Sequence, residues 1–337
     1  MKKLIKRGFA ALLALTLALG MSVSAFAVDA TADTKTATAV AKKDYRLLNS
    51  DTNSQSPEEE FQFTAEAVGA TSAINPDGTE VTKKDMPNLT ITVDKYNEGE
   101  ASSAGSKHDL LVKADKDFPS VGVYTYTVTE TDGKTAGVTY NEKKLELKAT
   151  VFHDAKTSEI KVAYAFRVDG NKETNIVNTY SAGALRVGEH VTGNLGNKTQ
   201  KFNINVTFTA PEGQTVRSTI TYGDNKTITP EMMKDGSETV QISLADGDTM
   251  LFQNVPYGVK YSVVEDEYKG YTTTYGSDAN GTIGDKGEKI KAAVVYNDKE
   301  GSVDTGVILH SAPYVLLLVG VGAAAVAFLI LKKHREV

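Results

Sequence analysis

The chain has 337 residues and not one cysteine. Disulfides, thiol nucleophiles, cysteine-ligated metals and cysteine–glutamine thioesters are therefore all excluded. Histidine is sparse: His108, His153, His190, His310 and His334 lie scattered, without ligand spacing, so no metal and no other cofactor is expected. Positive charge is not concentrated outside the two ends, and the net charge is -6, which argues against nucleic acid as a partner. Walker loops, Gly-x-Ser-x-Gly elbows and His-Glu-x-x-His helices are missing, so no constellation supports an enzyme. Helical periodicity is missing as well between the termini.

What is present begins with the ends. Lys2, Lys3, Lys6 and Arg7 precede the apolar stretch Phe9 to Leu19, and Ala25-Phe26-Ala27 gives the small-x-small pattern of a secretory signal, with cleavage between Ala27 and Val28. At the other end an uncharged run from Pro313 to Leu331 spans roughly the 30 Å hydrocarbon core of a bilayer at helical rise. Lys332, Lys333 and Arg335 follow it and should stay cytoplasmic, leaving the upstream chain outside. Before the span stands Ser302-Val303-Asp304-Thr305-Gly306. This order of pentapeptide, spacer, apolar helix and basic stub resembles the sorting signal of Gram-positive surface proteins. The resemblance implies that a sortase cuts between Thr305 and Gly306 and passes the threonine carbonyl to an amine. Asp304 stands where pilin signals of this kind carry proline.

Between the ends, short alternating segments separated by turn signals predict an all-β protein. Strands are expected at Ala39 to Leu48, Phe61 to Ala65, Leu89 to Val93, Val121 to Glu130, Lys144 to Phe152, Ile160 to Val168 and Thr174 to Tyr180, with Glu98 to His108 as a surface loop. The second half repeats the first at low identity. Leu185 to Val191 opens it as Ala39 to Leu47 opens the first, Phe202 to Phe208 parallels Phe61 to Ala65, and Gly258 to Glu265 parallels Val123 to Glu130. Each half closes on an apolar strand with an asparagine, Asn178 and Asn297. The expected organisation is a signal peptide over 1–27, a flexible start over 28–38, one β-sandwich over 39–182, a second over 183–300, and the sorting signal with its membrane helix over 301–337.

Side chains alternate across a strand, so parity assigns faces. Tyr124, Tyr126, Val128 and Glu130 share the apolar face of one strand; Ala39, Ala41, Lys43, Tyr45 and Leu47 share that of the first; Ile176, Asn178 and Tyr180 share that of the last. An amine, a carboxyl and an amide thus point into one core. Each alone is explained by a lysine that snorkels, a glutamate that reaches solvent or an asparagine at a strand end; three exceptions together are costly.

The order of a lysine in the first strand, a glutamate after Gly122-Val-Tyr-Thr-Tyr-Thr-Val-Thr129, and an asparagine before an aromatic in the last strand resembles streptococcal-type backbone pilins. The resemblance implies tandem immunoglobulin-like (Cna-B-type) sandwiches in which Lys43 and Asn178 join as an isopeptide bond, with Glu130 as the acid. It also implies a covalent polymer of neighbouring pilin subunits, a sortase as partner, attachment to peptidoglycan at the cell surface and contact with the membrane only before sorting. Lys172, in Asp169-Gly-Asn-Lys-Glu-Thr, is the candidate acceptor amine for the next subunit and is expected in an exposed turn. In the second half Glu265 and Asn297 match the acid and the amide, but Glu189 stands where lysine is required. That domain is expected to be uncross-linked and to melt first. The alternative reading is a monomeric wall-anchored adhesin that binds a host ligand through loops such as Glu98 to His108.

Overall fold

The computed structural model describes residues 35–49, 53–155 and 157–301. The signal cleavage pair Ala27 and Val28, the sorting pair Thr305 and Gly306, and the apolar run Pro313 to Leu331 lie outside these residues. Among the described residues no helix is long and apolar enough to cross a membrane. Contacts divide the described residues into two units: residues 35–49, 55–134, 138–155 and 157–181 form the first, and 53–54, 135–137 and 182–301 the second.

The first unit is all β. Its strands are β1 (Thr38–Leu47), β2 (Phe63–Thr71), β3 (Leu89–Thr92), β4 (Ser106–Ala114), β5 (Gly122–Glu130), β6 (Val138–Thr139), β7 (Leu145–His153), β8 (Ile160–Val168), β9 (Asn171–Glu173) and β10 (Asn175–Tyr180). They make two five-stranded sheets, in the orders β3-β4-β1-β10-β6 and β2-β5-β7-β8-β9. The inward faces supply one core in which Leu110 and Val112 of the first sheet meet Tyr126, Val128, Leu147 and Phe166 of the second. Burial alternates along β5, β7 and β10, as expected of strands with one face on a core. The opening strand β1 runs parallel to the closing strand β10 and antiparallel to β4.

The second unit comprises β11 (Ala182–Thr192), β12 (Phe202–Thr209), β13 (Ile220–Tyr222), β14 (Lys226–Ile228), β15 (Ser237–Leu244), β16 (Thr249–Pro256), β17 (Lys260–Glu265), β18 (Thr272–Tyr275), β19 (Asn280–Thr282) and β20 (Ile290–Asp298). Its sheets run β14-β13-β16-β11-β20-β18 and β15-β12-β17-β19. The opening strand β11 again lies parallel to the closing strand β20 and antiparallel to the strand before the glutamate strand. The internal repeat is thus one of topology as well as of sequence.

Three expectations change. A register shift between Ala39 and Ala41 rotates the start of β1, so Val40 rather than Ala39 is buried. Such an extra residue inverts the face of everything beyond it. The predicted loop Glu98 to His108 is a loop only as far as Gly105, because Ser106 already begins β4. Lys172 is exposed but sits on β9, paired with Arg167 of β8; the turn of that hairpin is Asp169 and Gly170, both with positive φ.

Candidate functional site: a lysine, a glutamate and an asparagine in one core

In the parallel pair, Lys43 lies opposite Ile176 and Tyr45 opposite Asn178, so Lys43 and Asn178 are two positions apart along the ladder and share its inward face. A four-carbon side chain spans such a diagonal. Glu130 comes from the facing sheet, at the last position of β5, paired with Phe63 of β2. Its two oxygens divide between the partners: Lys43 Nζ donates to Oε2 at 2.8 Å and Asn178 Nδ2 donates to Oε1 at 2.5 Å. The side chains of Lys43 and Glu130 are wholly buried, and Asn178 is buried beside them. The three groups that parity assigns to the core are brought together there.

Water is excluded by aromatic rings. Lys43 Nζ lies 4.6 Å from the centroid of Phe61 and 5.5 Å from that of Phe63. Tyr45, Phe61 and Tyr96 pack edge to face around it. Tyr96 also donates its hydroxyl to the Lys43 carbonyl, fixing the backbone that carries the amine. This burial dominates both titrations. It lowers the Lys43 amine to about 8, against the opposing pull of Glu130, and it raises the Glu130 carboxyl. Both shifts favour a neutral amine beside a neutral acid over a buried ion pair.

A fourth participant has no signature in the sequence. The backbone N–H of Asn141, just beyond β6, donates to Asn178 Oδ1 at 3.0 Å. The amide is therefore polarised at its oxygen by Asn141 and held at its nitrogen by Glu130. Chemically, the arrangement presents a neutral nucleophile, an acid in contact with both the nucleophile and the leaving group, and a donor where negative charge would develop on the carbonyl.

The second unit holds Glu189, Glu265 and Asn297 at the corresponding places. Glu189 pairs with Val295 and Val191 with Asn297, the same two-residue offset as Lys43 and Asn178. Glu189 is buried rather than turned to solvent. Asn297 Nδ2 donates to Glu189 Oε1 at 2.9 Å and to Glu265 Oε2 at 2.7 Å. Burial pushes Glu189 up to about 8, reinforced by the neighbouring Glu265, and also raises Glu265. Two carboxyls in contact in one core hold one proton between them. The other buried lysine, Lys291, donates to Glu288 instead. Thr273 of β18, directly opposite Asn297, donates to Asn297 Oδ1 at 2.8 Å and lies 3.2 Å from Glu265 Oε1.

The first and last strands of this β-sandwich thus meet at a buried amine, acid and amide. Residues 34–181 match the family model of the Spy0128-like isopeptide containing domain (FctA), and residues 183–299 match a domain of unknown function (DUF7601). A curated pilin of Streptococcus pyogenes serotype M1 is 28% identical, over 84% of this chain and 87% of its own. Among solved structures, the major pilin from Streptococcus pyogenes is 21% identical, covers 77% of this chain and 98% of its own, and superposes with a TM-score of 0.46. The T-13 major pilin of the same species is 18% identical, covers 78% and 98%, and gives 0.48. Over most of its length the chain is thus similar to a streptococcal pilin, and over residues 34–181 to an isopeptide-containing domain.

Proposed function

We propose that this protein is the backbone subunit of a sortase-assembled pilus on the surface of a Gram-positive bacterium, and that its first domain is locked by a self-formed Lys43–Asn178 isopeptide bond. The observation that carries the reading is the position of Glu130, in hydrogen-bond contact with the amine and the amide at once. Lys43 Nζ attacks Asn178 Cγ, the Nζ–Cγ bond forms, and the Cγ–Nδ2 bond breaks. Glu130 takes a proton from the amine and delivers one to the departing nitrogen, which leaves as ammonia. Fixed geometry of this kind is equivalent to an effective concentration of about 10⁵ to 10⁸ M, enough for a sluggish exchange to proceed once. The reaction is single-turnover self-modification.

The remaining assignments rest on the sequence. Ala27–Val28 is the proposed export cleavage, Thr305–Gly306 the proposed sortase cleavage, and a lysine of a neighbouring subunit or an amine of peptidoglycan the proposed acceptor. Lys172 suits the acceptor role through its exposure on the short strand β9. The adhesin alternative leaned on the loop Glu98 to His108, and the packing does not favour it: His108 is stacked on Tyr96 and held by Glu100.

The decisive measurement is the intact mass of a chain spanning residues 28–305. We expect it to be at least one ammonia lighter than encoded, with a Lys43–Asn178 linked fragment after digestion. Recovery of those two residues on separate fragments would refute the bond. Detergent-resistant ladders in cell-wall extracts, lost in a Lys172→Ala strain, test polymerisation and its acceptor separately.

A further inference from the structure

Lacking an amine at position 189, the second domain cannot form an isopeptide bond at Asn297, yet its core keeps every other part of a cross-linking site and adds a hydroxyl. We propose that Thr273 is the nucleophile of a second, different self-modification: an intramolecular ester between Thr273 Oγ1 and Asn297 Cγ, joining β18 to the closing strand β20.

The argument is geometric. Thr273 and Asn297 are direct cross-strand partners, and side chains in that relation have β-carbons about 4.5–5.5 Å apart, within the reach of a short covalent link after a small approach. The threonine hydroxyl already touches the asparagine carbonyl oxygen at 2.8 Å. Attack requires only that it move from the edge of the carbonyl to its face. Glu265 contacts the hydroxyl at 3.2 Å through Oε1 and the amide nitrogen at 2.7 Å through Oε2. In the first domain Glu130 stands in the same relation to amine and amide. Asn297 is fully buried and Glu265 nearly so, which keeps water from competing for the carbonyl.

The pair of carboxyls gives the proton balance its logic. A hydroxyl must lose its proton to become a nucleophile, so a base is needed as well as an acid. With one proton shared between them, Glu265 accepts the proton of Thr273 Oγ1 while Glu189, 2.9 Å from Asn297 Nδ2, delivers one to the departing nitrogen. The Oγ1–Cγ bond forms, the Cγ–Nδ2 bond breaks and ammonia leaves. The pair ends with the one proton it began with, moved from Glu189 to Glu265. Escape of ammonia to bulk water makes the step irreversible. Glu189, which looks like the loss of a lysine, becomes the acid of a different reaction.

The test uses the chain over residues 28–305 with Lys43→Ala, which silences the first site. We expect this variant to be one ammonia lighter than encoded, to yield a linked fragment containing Thr273 and Asn297, and to lose that link in mild alkali, which hydrolyses esters and leaves amides. Adding Thr273→Val should restore the encoded mass, whereas Thr273→Ser should keep the link, separating loss of the hydroxyl from loss of the fold. Full encoded mass in the Lys43→Ala chain overturns the proposal and makes Thr273 only a hydrogen-bond donor, in the place that the Asn141 N–H fills in the first domain. Conversion of Asn297 to aspartate overturns it too, because water would then be the nucleophile. The Lys43–Asn178 link is read on different fragments, so either bond can fail without the other.

Discussion

Glu130 is the residue on which the first site turns, because one carboxyl serves both ends of the reaction. Glu130→Gln keeps the volume and can still hydrogen-bond but cannot ferry a proton. Such a chain should fold with Lys43 and Asn178 recovered on separate fragments after digestion. At the second site the residue to watch is Glu189. Its carboxyl is raised from an ordinary value near 4.5 to about 8 in the fold, chiefly by burial, so between those values the folded state binds more protons than the unfolded state. The stabilisation is therefore complete below about pH 4.5 and is lost as pH rises towards 8. Melting of the second domain, followed from pH 4.5 to 8, should fall with pH and flatten in Glu189→Gln; a profile unchanged by that substitution would remove Glu189 as its cause. Both sites were legible in part. Parity placed Lys43, Glu130 and Asn178 inward, and an aligned register placed Glu189, Glu265 and Asn297. Asn141 and Thr273 were not legible: the first acts through its backbone, and the second is one of three consecutive threonines, told apart only by its register with Asn297.

At the scale of the element, the opening strand β1 is anchored on both faces, although Lys42 and Arg46 on the outer one reach solvent, and this is what makes it a fit carrier for a covalent link. Inward it presents Lys43 and Tyr45; on the other face Asp44 is buried, bound by Arg46 at 2.6 Å and by Asn175 of β10 at 2.9 Å. The segment before β4 closes over Asp44 through Gly105, whose φ is +90°, and a β-carbon there would lie 2.0 Å from Asp44 Oδ1. Gly105→Ala should therefore cost about 2 kcal/mol or more, from backbone strain and a clash that the pinned Asp44 cannot relieve. Chemical denaturation of a chain with Asn178→Ala, in which no covalent bond masks the change, would measure it. Alternation found β5 and β10 because one face of each is polar. It missed β4 altogether, where Ser106 to Asp109 is polar and half-exposed before the apolar Leu110 to Val112, and it misjudged Ala39 because a bulge carries no compositional mark.

At the scale of the whole molecule, the same architecture appears twice with different residues at its centre, and the mechanical consequence lies in which strands are joined. A Lys43–Asn178 bond connects the first strand of the domain to its last, so tension entering along β1 and leaving along β10 passes through covalent bonds and bypasses the hydrogen-bonded ladders. By analogy with disulfides closing loops of this length, the proposed bond would add about 5 kcal/mol to equilibrium stability. Its mechanical effect is larger, because the roughly 135 residues inside the loop cannot be extended at any force that leaves covalent bonds intact. Single-molecule pulling on the chain over residues 28–305 should thus show no extension from that loop. In the Asn178→Ala variant the same domain should unfold and release about 450 Å of chain, taking roughly 3.3–3.6 Å per extended residue. A β18–β20 ester would protect less, since it joins strands close together at the end of the second domain and leaves β11 to β17 free to unravel. The second domain should therefore extend in both chains. If the first domain of the unaltered chain also lengthened by that amount, the closing strand would not be tied to the opening one, and the domain would owe its strength to hydrogen bonds alone.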